Sequence, residues 1–405
     1  MKAVLWMMLA VVAAPALAQS VLPPEQVVRN VLENLPQVRA SAMNIDLARA
    51  GKSRLDAGTH EWTVRTGLSR RTDQLGGRYN EQDVALERSV RWFGKAAQDR
   101  AIGDKSIVVA TSGHEDAWHE ASRSLLTDWF SALREMSAAS RLDEQVALAG
   151  QLRDIAGKRV KAGDAARIEL LQADTESARV GALLQQAQLR REQALQQLAT
   201  SYPGLPVPHA GQLPIPLAST ESADWWRTKI TSDNHEVELA QGEADLLGLQ
   251  AARMSSERMP DPTLGVRAGR ERDGQERLVS ISILFTLPGA GRSAERDGAV
   301  VKAGMATQRA ALTQMKVSAA AQRVVTDSER SLVLWQTMQR IADQSAQQSA
   351  TMMRAYTLGE ATLTDALTNR RMAMDAALAA ESAQIDVLAA QARLSLDAHL
   401  LWSID

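Results

Sequence analysis

The chain contains no cysteine, which excludes disulfides, thiol catalysis, thiolate metal sites and the lipid-bearing residue a lipoprotein needs after its leader. Aromatic residues are only 4% of it, thin for a conventional large core, and the remaining apolar content is mostly Ala, Leu, Val and Met. A net charge of −2 leaves no basic footprint for nucleic acid. Past the first eighteen residues no run of 18 apolar residues occurs, so no transmembrane helix is expected, and a membrane would be entered only as β-structure. Proline is absent from 95–162 and 292–357, so nothing there breaks a helix. No nucleophile–base constellation, P-loop or Rossmann glycine pattern is present, which argues against an enzyme and a cofactor.

What is present begins with an export signal. Lys2 supplies a positive start, Ala3 to Ala16 an apolar stretch, and Ala16-Leu17-Ala18 a small-residue cleavage site, so 1–18 reads as a signal peptide. The rest is written twice. Each copy has two alternating segments, a Gly-containing bend, and a long Ala/Gln/Leu-rich stretch broken by a second glycine. Gly94 to Gly163 is 69 positions and Gly291 to Gly359 is 68, followed by GDAARIELLQA and GEATLTDALTN. The copies divide as 19–200 and 221–405, joined by a Pro-rich linker at 201–220.

Residues 25–58 carry a helical apolar pattern through Val28, Val31, Leu32, Leu35, Val38 and Met43. The period then becomes two. Trp62, Val64, Thr66 and Leu68 alternate with Thr63, Arg65, Gly67 and Ser69; Val84, Leu86, Val90 and Trp92 alternate with Ala85, Glu87, Ser89 and Arg91. The second copy repeats this with Leu264, Val266 and Ala268, a turn at Asp273-Gly274, and Val279, Ile281, Ile283, Phe285 and Leu287. Strands are thus predicted over about 61–71, 82–92, 262–272 and 277–287. One apolar and one polar face over about ten residues suits a half-buried hairpin in a soluble domain when each segment is taken alone; two copies in an exported chain with very long helices point to a membrane barrel wall. The helical stretches 95–162 and 292–357 each span on the order of 100 Å. They need partners along their length, which the returning stretches 164–200 and 360–402 supply. A leading helix is predicted at about 221–257.

With these features the chain resembles the TolC-type outer-membrane factors, the exit ducts of tripartite efflux pumps and type I secretion systems. The resemblance rests on the strand-and-hairpin repeat, the junctions WFGKAAQDRA (92–101) and LPGAGRSAERDGA (287–299), and the tip motifs KRVKAGDAARIELLQA (158–173) and RAYTLGEATLTDAL (354–367). It implies a mainly α fold with a small β part. Four strands per chain would join in a homotrimer as a 12-stranded barrel, continued by a periplasmic tunnel of helical hairpins. It implies a passive duct in the outer membrane, served by a periplasmic adaptor and an inner-membrane pump. Arg65, Glu87, Arg91 and Arg267 would line the lumen. Asp365, Tyr356 and Glu169 would form the periplasmic gate, and Gly163, Asp164, Gly359 and Glu360 the tip turns where the adaptor docks. Thr368 and Ala361 depart from the family pattern, standing where well-known members carry a second Asp ring and a linking Arg. The segment 79–103 is similar to the heavy-metal efflux branch.

Two plainer readings stand beside this. Asp365 and Glu169 also suit solvated acids in a first helical turn. A periplasmic coiled-coil adaptor would use long hairpins without a channel. The segment HEDAWHE is not a zinc motif, because its histidines are five apart; Glu115 and His119, four apart, suit a surface helical pair. No metal site follows from the sequence.

Overall fold

A computed structural model describes residues 21–404 apart from 59, 73 and 210, so the expected signal peptide lies outside the described residues. The elements run α1 (Glu25–Asn34), α2 (Pro36–Ala57), β1 (Thr63–Thr72), β2 (Arg78–Ser89), α3 (Lys95–Ala162), α4 (Arg167–Ser201), α5 (Ala223–Ser232), α6 (His235–Ser255), β3 (Thr263–Glu271), β4 (Glu276–Leu284), α7 (Ala290–Leu358) and α8 (Leu363–Asp397). The fold is mainly α with a small antiparallel sheet, as the period analysis predicts.

Two predicted helices are each divided. Leu35 takes an extended backbone (ψ 134°) before Pro36, as residues preceding proline do, and separates α1 from α2. The leading helix of the second copy breaks at Asp233-Asn234, where the Asn234 side chain accepts from the Val237 N–H at 3.1 Å and starts α6 afresh.

The residues form two compact units, and each draws on both sequence copies. The first comprises the described residues up to Val38, Trp118–Asp233 and Ser318 onward. Its core places Leu125, Leu126, Trp129, Phe130 and Leu133 of α3 against Val28, Val31 and Leu32 of α1 and Ile385, Leu388 and Leu396 of α8. Each such side chain contributes about 1.5–3 kcal/mol when buried. The indole N–H groups of Trp118 and Trp129 donate to the carbonyls of Trp402 and Val21, both at 2.9 Å, so these large rings bury no unpaired donor. The proline-rich linker lies along α8, where Gln384 donates to the Pro214 carbonyl and Gln391 to that of Leu217.

The second unit comprises Arg39–Ala117 and Asn234–Val317 and holds the sheet, ordered β1-β2-β3-β4 with every pair antiparallel. At the strand-to-helix junction an ion network fixes the chain. The Lys95 ammonium is buried between Asp261 (2.9 Å) and Glu257 (3.1 Å). Asp261 also accepts from the Trp92 N–H (2.8 Å) and His60 (2.9 Å). Burial opposes its charge, but these hydrogen bonds and Lys95 together hold its carboxyl below the ordinary range.

Candidate functional site

Both hairpin tips close in the same way. Gly163 (φ +81°) and Gly359 (φ +81°) take the left-handed conformation that glycine reaches without strain. The N–H groups of Gly163 and Asp164 donate to the carbonyls of Val160 and Arg159; those of Gly359 and Glu360 donate to Tyr356 and Ala355. This is a Schellman turn in each copy, satisfying the last carbonyls of α3 and α7. It also explains why the returning helices begin at Arg167 and Leu363, a few residues after the predicted starts at 164 and 360.

The two tips are joined by a side-chain latch. Tyr356 of α7 is 1% exposed, and its hydroxyl donates to Glu169 Oε2 of α4 at 3.1 Å. The Arg159 guanidinium lies 4.7 Å from the centre of the Tyr356 ring and donates to the Tyr356 carbonyl at 3.3 Å. Burial, then the Glu169 carboxylate, push the phenol pKa up, so the donating hydroxyl form is favoured. Beneath the ring pack Leu152, Ala156, Ala173, Leu363, Ala366 and Leu367. Two turns further along α4 the buried Glu176 carboxylate receives Arg179 of its own helix (2.8 Å) and Arg371 of α8 (2.5 Å). Sequence reasoning missed Arg159, Glu176 and Arg371. Only the Glu176/Arg179 spacing hinted at a pair, and it pointed within one helix.

The predicted gate residues therefore separate. The structure brings together Tyr356 and Glu169, from different copies, whereas Asp365 sits apart and exposed in the first turn of α8. There the Thr362 hydroxyl accepts from the Asp365 N–H (3.2 Å) and donates to its carboxylate (2.7 Å), an N-terminal capping pair. Within one protomer Asp365 is thus an exposed acid paired with its N-cap in the first turn of α8. Gly163, Asp164, Gly359 and Glu360 are all exposed at the turns.

The sheet separates two chemistries by face. Val64, Leu68, Val84, Leu86, Leu264, Val266, Val279, Ile281 and Ile283 share one face and are all exposed, Ile281 to 80%. The opposite face carries Arg65 to Glu87 at 3.1 Å, Arg267 to Asp83 at 3.0 Å, and Arg71 to Glu81 at 3.0 Å. Glycine makes room for these chains: a Cβ on Gly67 would stand 2.6 Å from Asp83 Oδ1, and one on Gly265 2.6 Å from Ser282 Oγ.

Arg91 corrects the expectation for this face. β2 ends at Ser89; the Val90 N–H still bonds the Pro262 carbonyl in line with the β2–β3 pairing, and the Trp92 N–H then goes to the Asp261 side chain. The Arg91 side chain then donates to the carbonyls of Leu55 (2.6 Å) and Asp56 (2.8 Å) and to Asp99 (3.0 Å). It caps the end of α2 rather than lining the sheet. Period-two alternation continued through residue 92 and carried no sign of this stop. β4 likewise ends at Leu284, leaving Phe285 and Leu287 outside it.

The histidines also have partners that helical spacing did not foresee. His119 Nε2 lies 3.3 Å from Asp397 of α8, and Glu115 Oε2 lies 3.6 Å from His235 Nδ1 of α6. Among the described residues, Glu115, His235 and Glu238 are the group whose donor atoms converge closely enough for a metal ion.

No family model matches the sequence, and no curated protein matches it. Solved structures do. The chain is similar to the outer-membrane channel OprN at 13% identity, covering 93% of this chain and 90% of that one with a TM-score of 0.78. It is similar to the CmeC outer membrane channel of Campylobacter jejuni at 15% identity, covering 94% and 86%, with a TM-score of 0.72. For the outer membrane protein VceC of Vibrio cholerae the identity is 16%, the coverage 93% and 94%, and the TM-score 0.69. The fold is that of the TolC-type outer-membrane channels: long helical hairpins plus a four-stranded sheet.

Proposed function

We propose that the protein is a trimeric outer-membrane exit duct of a tripartite efflux system, passing drugs or metal ions delivered by an adaptor and an inner-membrane pump. The observation that carries this reading is the sheet. Its four strands end in two open edges, and one face carries a band of exposed apolar side chains while the other carries the ion pairs of Arg65, Arg267 and Arg71. A bilayer tolerates no open edge, so such a sheet belongs in a closed barrel, and three copies supply twelve strands. The apolar face then meets lipid, and Arg65, Glu87 and Arg267 meet water. Likeness over nearly the whole chain to outer-membrane channels supports the same assembly and location. So does α7, which exposes Val300, Val301, Met305, Leu312, Met315, Val333 and Leu334. Helices of that length need partners on such a face, and neighbouring protomers provide them.

The tip turns present the segment from Gly163 to Asp164, and from Gly359 to Glu360, to the adaptor. Energy comes from the pump, and the duct performs no chemistry. The resemblance of 79–103 to the heavy-metal branch favours metal cargo. Extraction from outer membranes as a heat-modifiable trimer is the expected result; recovery as a monomer in the soluble periplasmic fraction would favour the coiled-coil adaptor instead.

Three Asp365 carboxylates around the trimer axis would form a cation-attracting ring at the entrance. Each contributes about 1 kcal/mol to a close cation in water. Asp365→Asn is therefore expected to weaken divalent block of single-channel current about tenfold or more, while Asp365→Glu retains it. Unchanged block in the Asn variant places Asp365 outside the constriction.

A further inference from the structure

We infer that Glu115, His235 and Glu238 form a binding site for one zinc-class divalent transition-metal ion, held between α3 and α6. All three lie in the second unit, and their donor atoms are within 4.8 Å of one another. His235 Nδ1 stands 3.6 Å from Glu115 Oε2 and 3.8 Å from Glu238 Oε2. A charge-assisted hydrogen bond would draw such atoms to about 2.7–2.9 Å. Four ligands placed tetrahedrally about zinc, with bonds of about 2.0–2.2 Å, stand about 3.3–3.6 Å from one another. The donor atoms are close enough for a small movement of the Glu238 side chain to place all three about one ion at coordinating distance.

The supporting shell is built from the backbone outward. Asn234 caps α6 through the Val237 N–H and so sets the helix start on which His235 stands. Glu238 follows one turn later on the same side, and Glu115 approaches from α3. Nearby, a Cβ on Gly113 would lie 3.6 Å from a Leu239 methyl, so the two helices approach closely just beside the three donors. The neighbouring His114 is committed elsewhere, its Nδ1 sharing a 2.9 Å hydrogen bond with Ser41. Exposure rises across the donors, from 13% for the His235 side chain through 24% for Glu115 to 52% for Glu238. One side of the site is therefore open for ion entry and for a water as fourth ligand.

Two electrostatic effects compete. The positive end of α6 disfavours a cation by about 0.3–1 kcal/mol. Two carboxylates neutralise a divalent ion outright, and at a few ångströms each outweighs that penalty. One imidazole with two carboxylates suits zinc, cobalt or nickel; calcium takes 6–8 oxygens and magnesium an octahedral, largely hydrated shell. Because α3 belongs to the first sequence copy and α6 to the second, a bound ion cross-braces the two copies. The site stands on these three side chains and is independent of the duct reading.

The test uses the full chain in detergent, without a histidine tag and stripped by chelator. Calorimetric titration with Zn²⁺, and with Co²⁺ read by its visible absorption, is expected to give one ion per protomer and a raised melting temperature. His235→Ala and Glu115→Gln are expected to weaken binding at least about 10–100-fold, by comparison with the smaller effects of removing supporting shells. His114→Ala is expected to leave it unchanged. Should either core variant fail to fold, Glu238→Gln, at the most exposed ligand, carries the comparison. Absence of stoichiometric binding, equal affinity in the His235 or Glu238 variants, or displacement by equimolar Ca²⁺ overturns the proposal.

Discussion

Replacing Asp397 with asparagine is expected to destabilise the protein by about 3 kcal/mol, the low end for breaking a buried ion pair, because the carboxylate is buried while Arg123 and Arg393 keep part of their access to water. Asp397 is the last residue of α8, and its side chain is 3% exposed. Its carboxylate receives Arg123 of α3 at 2.9 Å, Arg393 of its own helix at 2.8 Å, and His119 at 3.3 Å. A negative charge at a helix C-terminus is unfavourable on its own, so the two guanidinium groups are what hold it there. Burial works to raise its pKa; the hydrogen bond from His119 and the charges of Arg123 and Arg393 outweigh burial and bring the carboxyl down from 3.8 to about 2. A depressed folded value means stability that is present above 3.8 and lost as pH falls toward about 2. The shift corresponds to about 2 kcal/mol. Thermal unfolding followed by far-UV circular dichroism in detergent checks both points. The variant should melt lower near neutrality, and its deficit relative to the natural chain should shrink across that acid window. An undiminished deficit would mean that charge at Asp397 is not what the site needs.

Removing the aromatic ring of the latch is the second large effect. Tyr356→Ala is expected to cost about 3–5 kcal/mol at the tips, as other large buried aromatics do. Tyr356→Phe keeps the ring over Leu152 and Leu363 and loses only the hydroxyl donating to Glu169, a bond to a charged acceptor contributing about 1.5–3 kcal/mol. Hydrogen exchange across 352–367 and 152–173 should therefore quicken strongly in the Ala variant and moderately in Phe. Single-channel records of the reconstituted trimer should show longer open times in the same order, because the latch ties the second hairpin to the first. Since the phenol pKa is raised, its contribution is complete below the ordinary value of 10.0 and is lost as pH rises through the folded value. Equal exchange in all three proteins would remove Tyr356 from the closure of the tips.

The repeat, the strands and the hairpins were legible because their signals are local. Alternation over Val279 to Ile283, the absence of proline from 95–162, and glycine at 163 and 359 are each read within a few residues, and the structure places strand, helix and Schellman turn there. The interruptions at Pro36 and Asn234 were local too, although the apolar pattern ran across them and concealed them. Faces and partners are another matter. Arg91 alternates in step with Glu87 and yet turns to cap α2, because the end of α2 and Asp99 lie within its reach just past the end of β2. Tyr356 lies 187 residues from Glu169, and Glu115 and His119 answer to α6 and α8. Periodicity in one chain segment reports which side of an element is apolar; it carries no information about which distant element arrives there. The amino-acid pattern alone established two copies of a strand pair and a glycine-broken helical hairpin. The latch, the junction network and the convergence of Glu115, His235 and Glu238 came only from tertiary packing, which alone sets side chains from separate helices at hydrogen-bonding or coordinating distance.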